Sequence, residues 1–171
     1  MHTFQPYPAD LIEFNPFTKI GNEWMAIVAG DSNKVNTMTA SWGGVGVLWG
    51  KNVAFIFIRD SRYTKEFLDA KETFSLNFFD PKDKEAKQAL KYFGAVSGRK
   101  EDKIASVKMH VDYDGDVPYI DESNFVLICK KLSATKITED SFIDPELMDK
   151  WYKDGDMHTM YVGEITQILA R

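Results

Sequence analysis

Four arginines stand against 17 lysines in this chain, and two of the four sit in one hexapeptide, Arg59-Asp60-Ser61-Arg62-Tyr63-Thr64. The segment follows the apolar run Val53–Ile58 and precedes a stretch with helical spacing, so it reads as a strand–helix junction. A helix start presents unpaired N–H groups and a partial positive charge, which attract phosphate. Arg59 and Arg62 add planar forks matched to phosphate oxygens, and Ser61 and Thr64 add hydroxyl donors. The same residues also read as plain architecture: Ser61 as a helix cap, Thr64 in the first turn, and the arginines paired with Asp60 or with solvent.

A second constellation is Asn36-Thr37-Met38-Thr39-Ala40-Ser41-Trp42. Small and hydroxyl residues along a strand let a flat ligand lie close to the backbone and exchange hydrogen bonds with it. Beside a phosphate site, such a strand would carry the ring system of a mononucleotide. Alone, the segment equally describes a Thr/Ser-rich strand facing water. The third constellation is Asp154-Gly155-Asp156-Met157-His158, followed by Gly163-Glu164. His158 is able to donate a proton or a hydrogen bond near a redox centre, or to sit in a turn with no task. His2 and His110 have no carboxylate or histidine at metal spacing, so no metal site is assigned. No GxGxxG, GxxxxGK[ST] or GxSxG motif is present, which disfavours the common dinucleotide-fold, P-loop and serine-hydrolase readings.

The elements that must position these groups follow from periodicity. Strands are predicted over Trp24–Ala29, Asn36–Trp42, Val53–Ile58 and Thr73–Phe79, and two long ones over Asn124–Ile137 and Thr159–Leu169. Gly43, Gly44 and Gly46 read as a permissive loop. In Thr73–Phe79 the apolar Phe74, Leu76 and Phe78 alternate with Ser75 and Asn77. Helices are expected over Arg62–Ala70, with Tyr63, Phe67 and Ala70 on one face, and after two Asp-Pro starts, Asp80-Pro81 and Asp144-Pro145. Many strands with three short helices predict a mainly β, antiparallel barrel decorated by peripheral helices. A parallel doubly wound sheet fits poorly, because helices and strands do not alternate regularly.

The 171 residues carry a formal net charge of −5 and a pI of about 5.2. One domain over 1–171 is the expectation at this length, with no metal or disulfide staple needed. No broad basic field is available for nucleic acid or an anionic membrane. The longest uncharged run, Val35 to Gly50, is too short and too polar to span a bilayer. The N-terminus lacks a basic segment followed by an apolar stretch, so a cytoplasmic protein is expected. The single cysteine, Cys129, reads as a small hydrophobe in the run Phe125–Cys129.

Taken in order, NTMTASW (36–42), RDSRYT (59–64), FSLNF (74–78), SGRKEDK (97–103) and HTMYVGEI (158–165) resemble the flavin reductase-like family of the FMN-binding split barrel, in particular its flavoredoxin-type branch. The resemblance implies a six-stranded antiparallel Greek-key split barrel and a homodimer with FMN near the subunit interface. It places Met38–Trp42 along the flavin ring, and Arg59, Ser61, Arg62, Tyr63 and Thr64 at the phosphate. Asn77, within FSLNF, joins the cofactor-binding set. Ser97–Lys103 is expected near the exposed side of the flavin, and His158 on the nicotinamide or acceptor side, as the one candidate catalytic residue. Family members often read Gly-Asp-His where Met157 here separates Asp156 from His158, while the spacing from His158 to Gly163-Glu164 is kept. The implied function is an FMN-binding oxidoreductase passing electrons from NADH or NADPH to a flavin, a metal chelate or an acceptor protein. Two rivals stay open: an electron-transfer flavoprotein reduced by a partner protein, and a flavin-binding module without turnover.

Overall fold

Ten strands and five short helices build the computed structural model, which describes residues 1–171. In chain order they are β1 (Gln5–Pro6), α1 (Pro16–Lys19), β2 (Met25–Gly30), β3 (Val35–Ala40), β4 (Gly43–Leu48), β5 (Lys51–Arg59), α2 (Thr64–Ala70), β6 (Thr73–Phe78), α3 (Lys84–Ala95), α4 (Lys103–Ser106), β7 (Val111–Asp114), β8 (Val117–Ile120), β9 (Phe125–Lys136), α5 (Pro145–Trp151) and β10 (His158–Ala170). One antiparallel sheet runs β3-β2-β6-β9-β10-β5-β4, with β1 added to β10, and β7 and β8 form a separate hairpin. The mainly β, antiparallel architecture is as expected. By hydrogen bonding the sheet is open rather than closed into a barrel, because its two edge strands, β3 and β4, do not pair with each other.

The concave core takes side chains from nearly every long strand: Ile27, Met38, Ile56, Phe74, Leu127 and Tyr161 all lie in one apolar cluster. β5 and β10 are in register, so that His158 stands opposite Arg59 and Glu164 opposite Val53. The bulges in β10 after Val162 and Ile165 bend that strand around the core. Gly163 sits between them for a steric reason. A Cβ there would lie 2.6 Å from Phe74 Cζ and 3.1 Å from Cys129 Cβ. Cys129 is a fully buried core residue, and burial pushes its thiol pKa up.

Helix α3 covers the outer side of the sheet. Ala86, Ala89, Leu90 and Phe93 are buried, against Ala26, Val28 and Ile104. Its start differs from expectation. Asp83, not Asp80, caps the helix, its side chain accepting from the N–H groups of Glu85 and Ala86, while Asp80 accepts from Lys82 N in the turn before it. The Asp144-Pro145 start is as read, with Asp144 accepting from Glu146 N. The glycine-rich segment after Trp42 is not a loop: Gly43–Leu48 pairs with β5 from Gly43↔Ile56 to Leu48↔Lys51. Glycine lowers strand propensity, but the register of β5, a nine-residue strand, supplies the ladder that propensity alone does not.

Candidate functional site

The predicted ring-binding strand and the predicted phosphate junction meet. Met38, Thr39, Ala40, Ser41 and Trp42 line a cleft of about 200 Å³ together with Phe57, Arg59, Arg62, Trp151 and His158. A second pocket of about 200 Å³ opens beside it, lined by Asn36, Ser61, Arg62, Tyr63, Thr64, the segment Gly94–Gly98 and Lys103. Arg62 lines both, so the two pockets are neighbours with a shared guanidinium. β3 supplies the floor, the β5–α2 junction one wall, and the end of α3 the other.

The second pocket is built to take negative charge. The Arg62 guanidinium, half-buried, makes no hydrogen bond or ion pair with the protein. Burial pulls its pKa down, opposed only by the charge of Asp156. Lys103 is 4 % exposed and its ammonium donates to the Phe93 carbonyl at 2.9 Å. Burial, then the neighbouring Arg62 cation, brings its pKa from 10.5 to about 8. No carboxylate lines this pocket. Two sequestered cations in a pocket lined by no carboxylate are costly unless an anion arrives. The dipole of α2 adds little, since the helix has seven residues.

The remaining wall is shaped by close approach. Asn36 donates to the Thr64 hydroxyl at 2.9 Å, and its side chain fills the place a Cβ on residue 98 would take, with Oδ1 only 1.9 Å away. Gly98 is therefore required for the segment after α3 to close on β3. Of the segment 97–103, expected near the exposed side of a flavin, Ser97, Gly98 and Lys103 share this pocket with Arg62 and Thr64. Lys103 entered the sequence reading only as the last residue of that segment, with no part at the phosphate. Its signal was there, a lysine one position after the helix-capping Asp102, but nothing in the sequence showed that its ammonium is buried.

Several candidates that line the two pockets also serve as struts. The Ser61 hydroxyl does not cap α2: it donates to Asp156 Oδ2 at 2.6 Å, and Ser61 N donates to Asp156 Oδ1 at 3.0 Å. Arg59 is paired neither with Asp60 nor with solvent alone. It donates to the carbonyls of Asp156 at 2.7 Å and Trp151 at 3.0 Å. Together they tie the segment between α5 and β10 to the strand–helix junction. Tyr63 accepts from Lys34 Nζ at 2.9 Å, and Thr39 donates to the Leu90 carbonyl at 2.5 Å, fixing α3 on β3. Asn77 is not brought to the cleft at all. Fully buried, it donates to Ser75 Oγ and accepts from Ile120 N and Ser123 Oγ, holding the β7–β8 hairpin to β6.

The far wall of the cleft is aromatic. Trp42 packs edge-on against Trp151 at 4.9 Å and lies 5.2 Å from the His158 ring. His158 is 6 % exposed, and its Nδ1 lies 2.8 Å from the Tyr152 hydroxyl. Burial first, then the Arg59 cation, lowers its pKa, against the opposing pull of Asp156 and Asp60. The surroundings therefore favour the uncharged imidazole.

The arrangement suits an anionic mononucleotide: an aromatic and small-residue cleft for the ring, and a cationic pocket for the phosphate. Comparison with known proteins points the same way. The model of the flavin reductase like domain matches residues 20–171. Flavoredoxin from Methanosarcina acetivorans has a similar fold, with a TM-score of 0.66 at 22% identity over 87% of this chain and 68% of that one. An FMN-binding domain of a flavin reductases-like enzyme from Shewanella baltica OS155 gives 0.67 at 14% identity over 98% and 77%. An NADH:FAD oxidoreductase of Streptomyces globisporus C-1027 gives 0.62 at 17% identity over 87% and 75%. No curated protein matches the chain.

Proposed function

The chain belongs to the flavin reductase-like family, and from that premise we propose that it is an FMN-binding oxidoreductase that takes electrons from NADH or NADPH and passes them to a flavin, a metal chelate or an acceptor protein. The observation that carries this reading is the pairing of two cations, half-buried Arg62 and buried Lys103, in a pocket lined by no carboxylate, beside a cleft floored by Met38–Trp42. FMN, when bound, supplies the hydride and electron chemistry. The chain's residues do the rest. Arg62 and Lys103 hold the phosphate, and Asn36 and Thr64 fix the wall behind it. Met38, Ala40 and Ser41 let a planar ring approach the β3 backbone. Trp42 and Trp151 bound the cleft on the side left for a nicotinamide, where His158 offers a hydrogen bond. No helix is long and apolar enough to cross a membrane. A homodimer is part of the same proposal.

The flavoredoxin similarity supports a second reading, an electron carrier whose bound FMN is reduced by a partner protein. Steady-state oxidation of NADH and NADPH by the FMN-loaded protein separates the two: turnover supports the first, its absence the second.

Arg62 gives the direct test of the cofactor. Riboflavin has the ring and ribityl chain of FMN without the charge. A charge-assisted hydrogen bond contributes about 1.5–3 kcal/mol, so Arg62→Ala should weaken FMN by about tenfold to a hundredfold and leave riboflavin nearly unmoved. Fluorescence-quenching titrations of both flavins read the result. Equal losses for the two would mean that Arg62 supports the fold and not the phosphate.

A further inference from the structure

The segment between α5 and β10 departs from the family pattern by placing Met157 before His158, yet it is held in place at several points. Arg59 grips the carbonyls of Trp151 and Asp156, Ser61 grips the Asp156 carboxylate, and Asp60 N donates to the Met157 carbonyl at 3.0 Å. At its centre lies Tyr152, the residue that ends α5 and is 6 % exposed. Its ring is packed against Phe142, the Arg59 guanidinium at 5.3 Å and the edge of His158 at 5.5 Å. Its hydroxyl has one hydrogen-bond partner in the protein, His158 Nδ1 at 2.8 Å.

From this geometry we infer that Tyr152 is a positioning residue: its hydroxyl donates to His158 Nδ1 and locks the ring in the tautomer that carries its proton on Nε2, on the side chain that lines the cleft.

The direction follows from donor accounting. A phenol has one proton, and the Tyr152 hydroxyl reaches no acceptor other than Nδ1. Were Nδ1 protonated instead, it would donate to the phenol oxygen and strand the phenol proton in a buried place, which costs more than the bond returns. An imidazole that accepts at Nδ1 carries its proton on Nε2, and that nitrogen has no protein partner. Burial and then the Arg59 cation oppose protonation of the ring, while the Asp156 and Asp60 carboxylates, both engaged elsewhere, favour it. Burial keeps Tyr152 protonated. The cleft thus receives a donor of fixed direction from a residue that would otherwise alternate between two tautomers. The use of that donor toward a nicotinamide or flavin rests on the proposed function; the tautomer itself does not.

The test is long-range proton–nitrogen correlation NMR on flavin-free protein labelled with 15N-histidine, the His158 signals being assigned by their loss in His158→Gln. The wild type should show an unprotonated Nδ1 and a protonated Nε2. Tyr152→Phe keeps the ring packing and removes the donor, so the tautomer ratio should shift toward Nδ1–H by about fivefold, the equivalent of one ordinary hydrogen bond. A wild-type ring protonated on Nδ1, or a Tyr152→Phe ring unchanged in ratio, overturns the inference. If Tyr152→Phe does not fold, the wild-type spectrum alone decides between the two tautomers. Because no flavin is present, the spectrum is independent of the flavin titrations that test the proposed function.

Discussion

Lys103 ties the charge of the second pocket to pH. Its ammonium is sequestered with Arg62, and in the free protein its pKa stands at about 8. The unfolded chain holds this proton up to the ordinary lysine value near 10.5. The cost to stability is therefore complete below pH 8 and is relieved as pH rises from about 8 toward 10.5. Binding runs the other way. A phosphate monoester is dianionic above its second pKa near 6 and favours the charged lysine. FMN affinity should be level between about pH 7 and 7.5 and fall as pH rises through 8, with proton uptake on binding in the falling region. Riboflavin should show no such slope, and Lys103→Met should remove it for FMN. Titration calorimetry in two buffers of different ionisation heat measures the uptake directly. A slope that survives in Lys103→Met would assign the titration to another group.

The elements that carry the site were legible to different degrees, for physical reasons. The long strands announced themselves, because runs such as Val53–Ile58 and alternation such as Phe74–Phe78 leave few alternatives to a buried strand. β4 did not, since Gly43, Gly44 and Gly46 have no intrinsic strand preference and pair only because β5 lies beside them. The β7–β8 hairpin carries no strong period, and its tie to Asn77 is a long-range fact invisible in sequence. At the site, residue types were readable and tasks were not. Arg62 and Met38–Trp42 line one cleft, whereas the hydrogen bonds of Ser61 and Arg59 go to Asp156, a partner far off in sequence that no local pattern shows. Gly163 shows the same limit within one strand: its identity is set by Phe74, a neighbour across the core. A methyl there would lie 2.6 Å from Phe74 Cζ, and overpacking of this kind costs about 1–3 kcal/mol. Gly163→Ala should lower the thermal midpoint by about 2–12 °C. In the background of Phe74→Leu, which clears the space, the same change should cost distinctly less, a coupling that calorimetry of the four proteins measures. Equal costs in both backgrounds would place the strain elsewhere.

At the scale of the whole molecule, the two edges of the open sheet are treated unequally. β3 lies under α3 and has α2 and α4 beside it, so the edge next to the cleft is shielded by helices. β4 has β5 on one side and no helix or strand on the other. Monomeric proteins guard such an edge with lysine, proline, a bulge or an inward charge. The sequence GGVGVL of β4 has none of the first two and no charge, its register with β5 runs without a bulge, and it leads into exposed apolar side chains, with Val47 at 73% and Trp49 at 61% exposure. An unguarded apolar edge in a chain of −5 net charge is stable in water when a second copy covers it. The proposed homodimer should therefore scatter light at twice the 19.5 kDa chain mass at micromolar concentration. Val47→Lys, which installs the missing guard, should shift the mass toward the monomer without unfolding the chain. A wild-type mass of one chain would remove the dimer from the proposal, and a Val47→Lys protein still dimeric would move the interface away from β4.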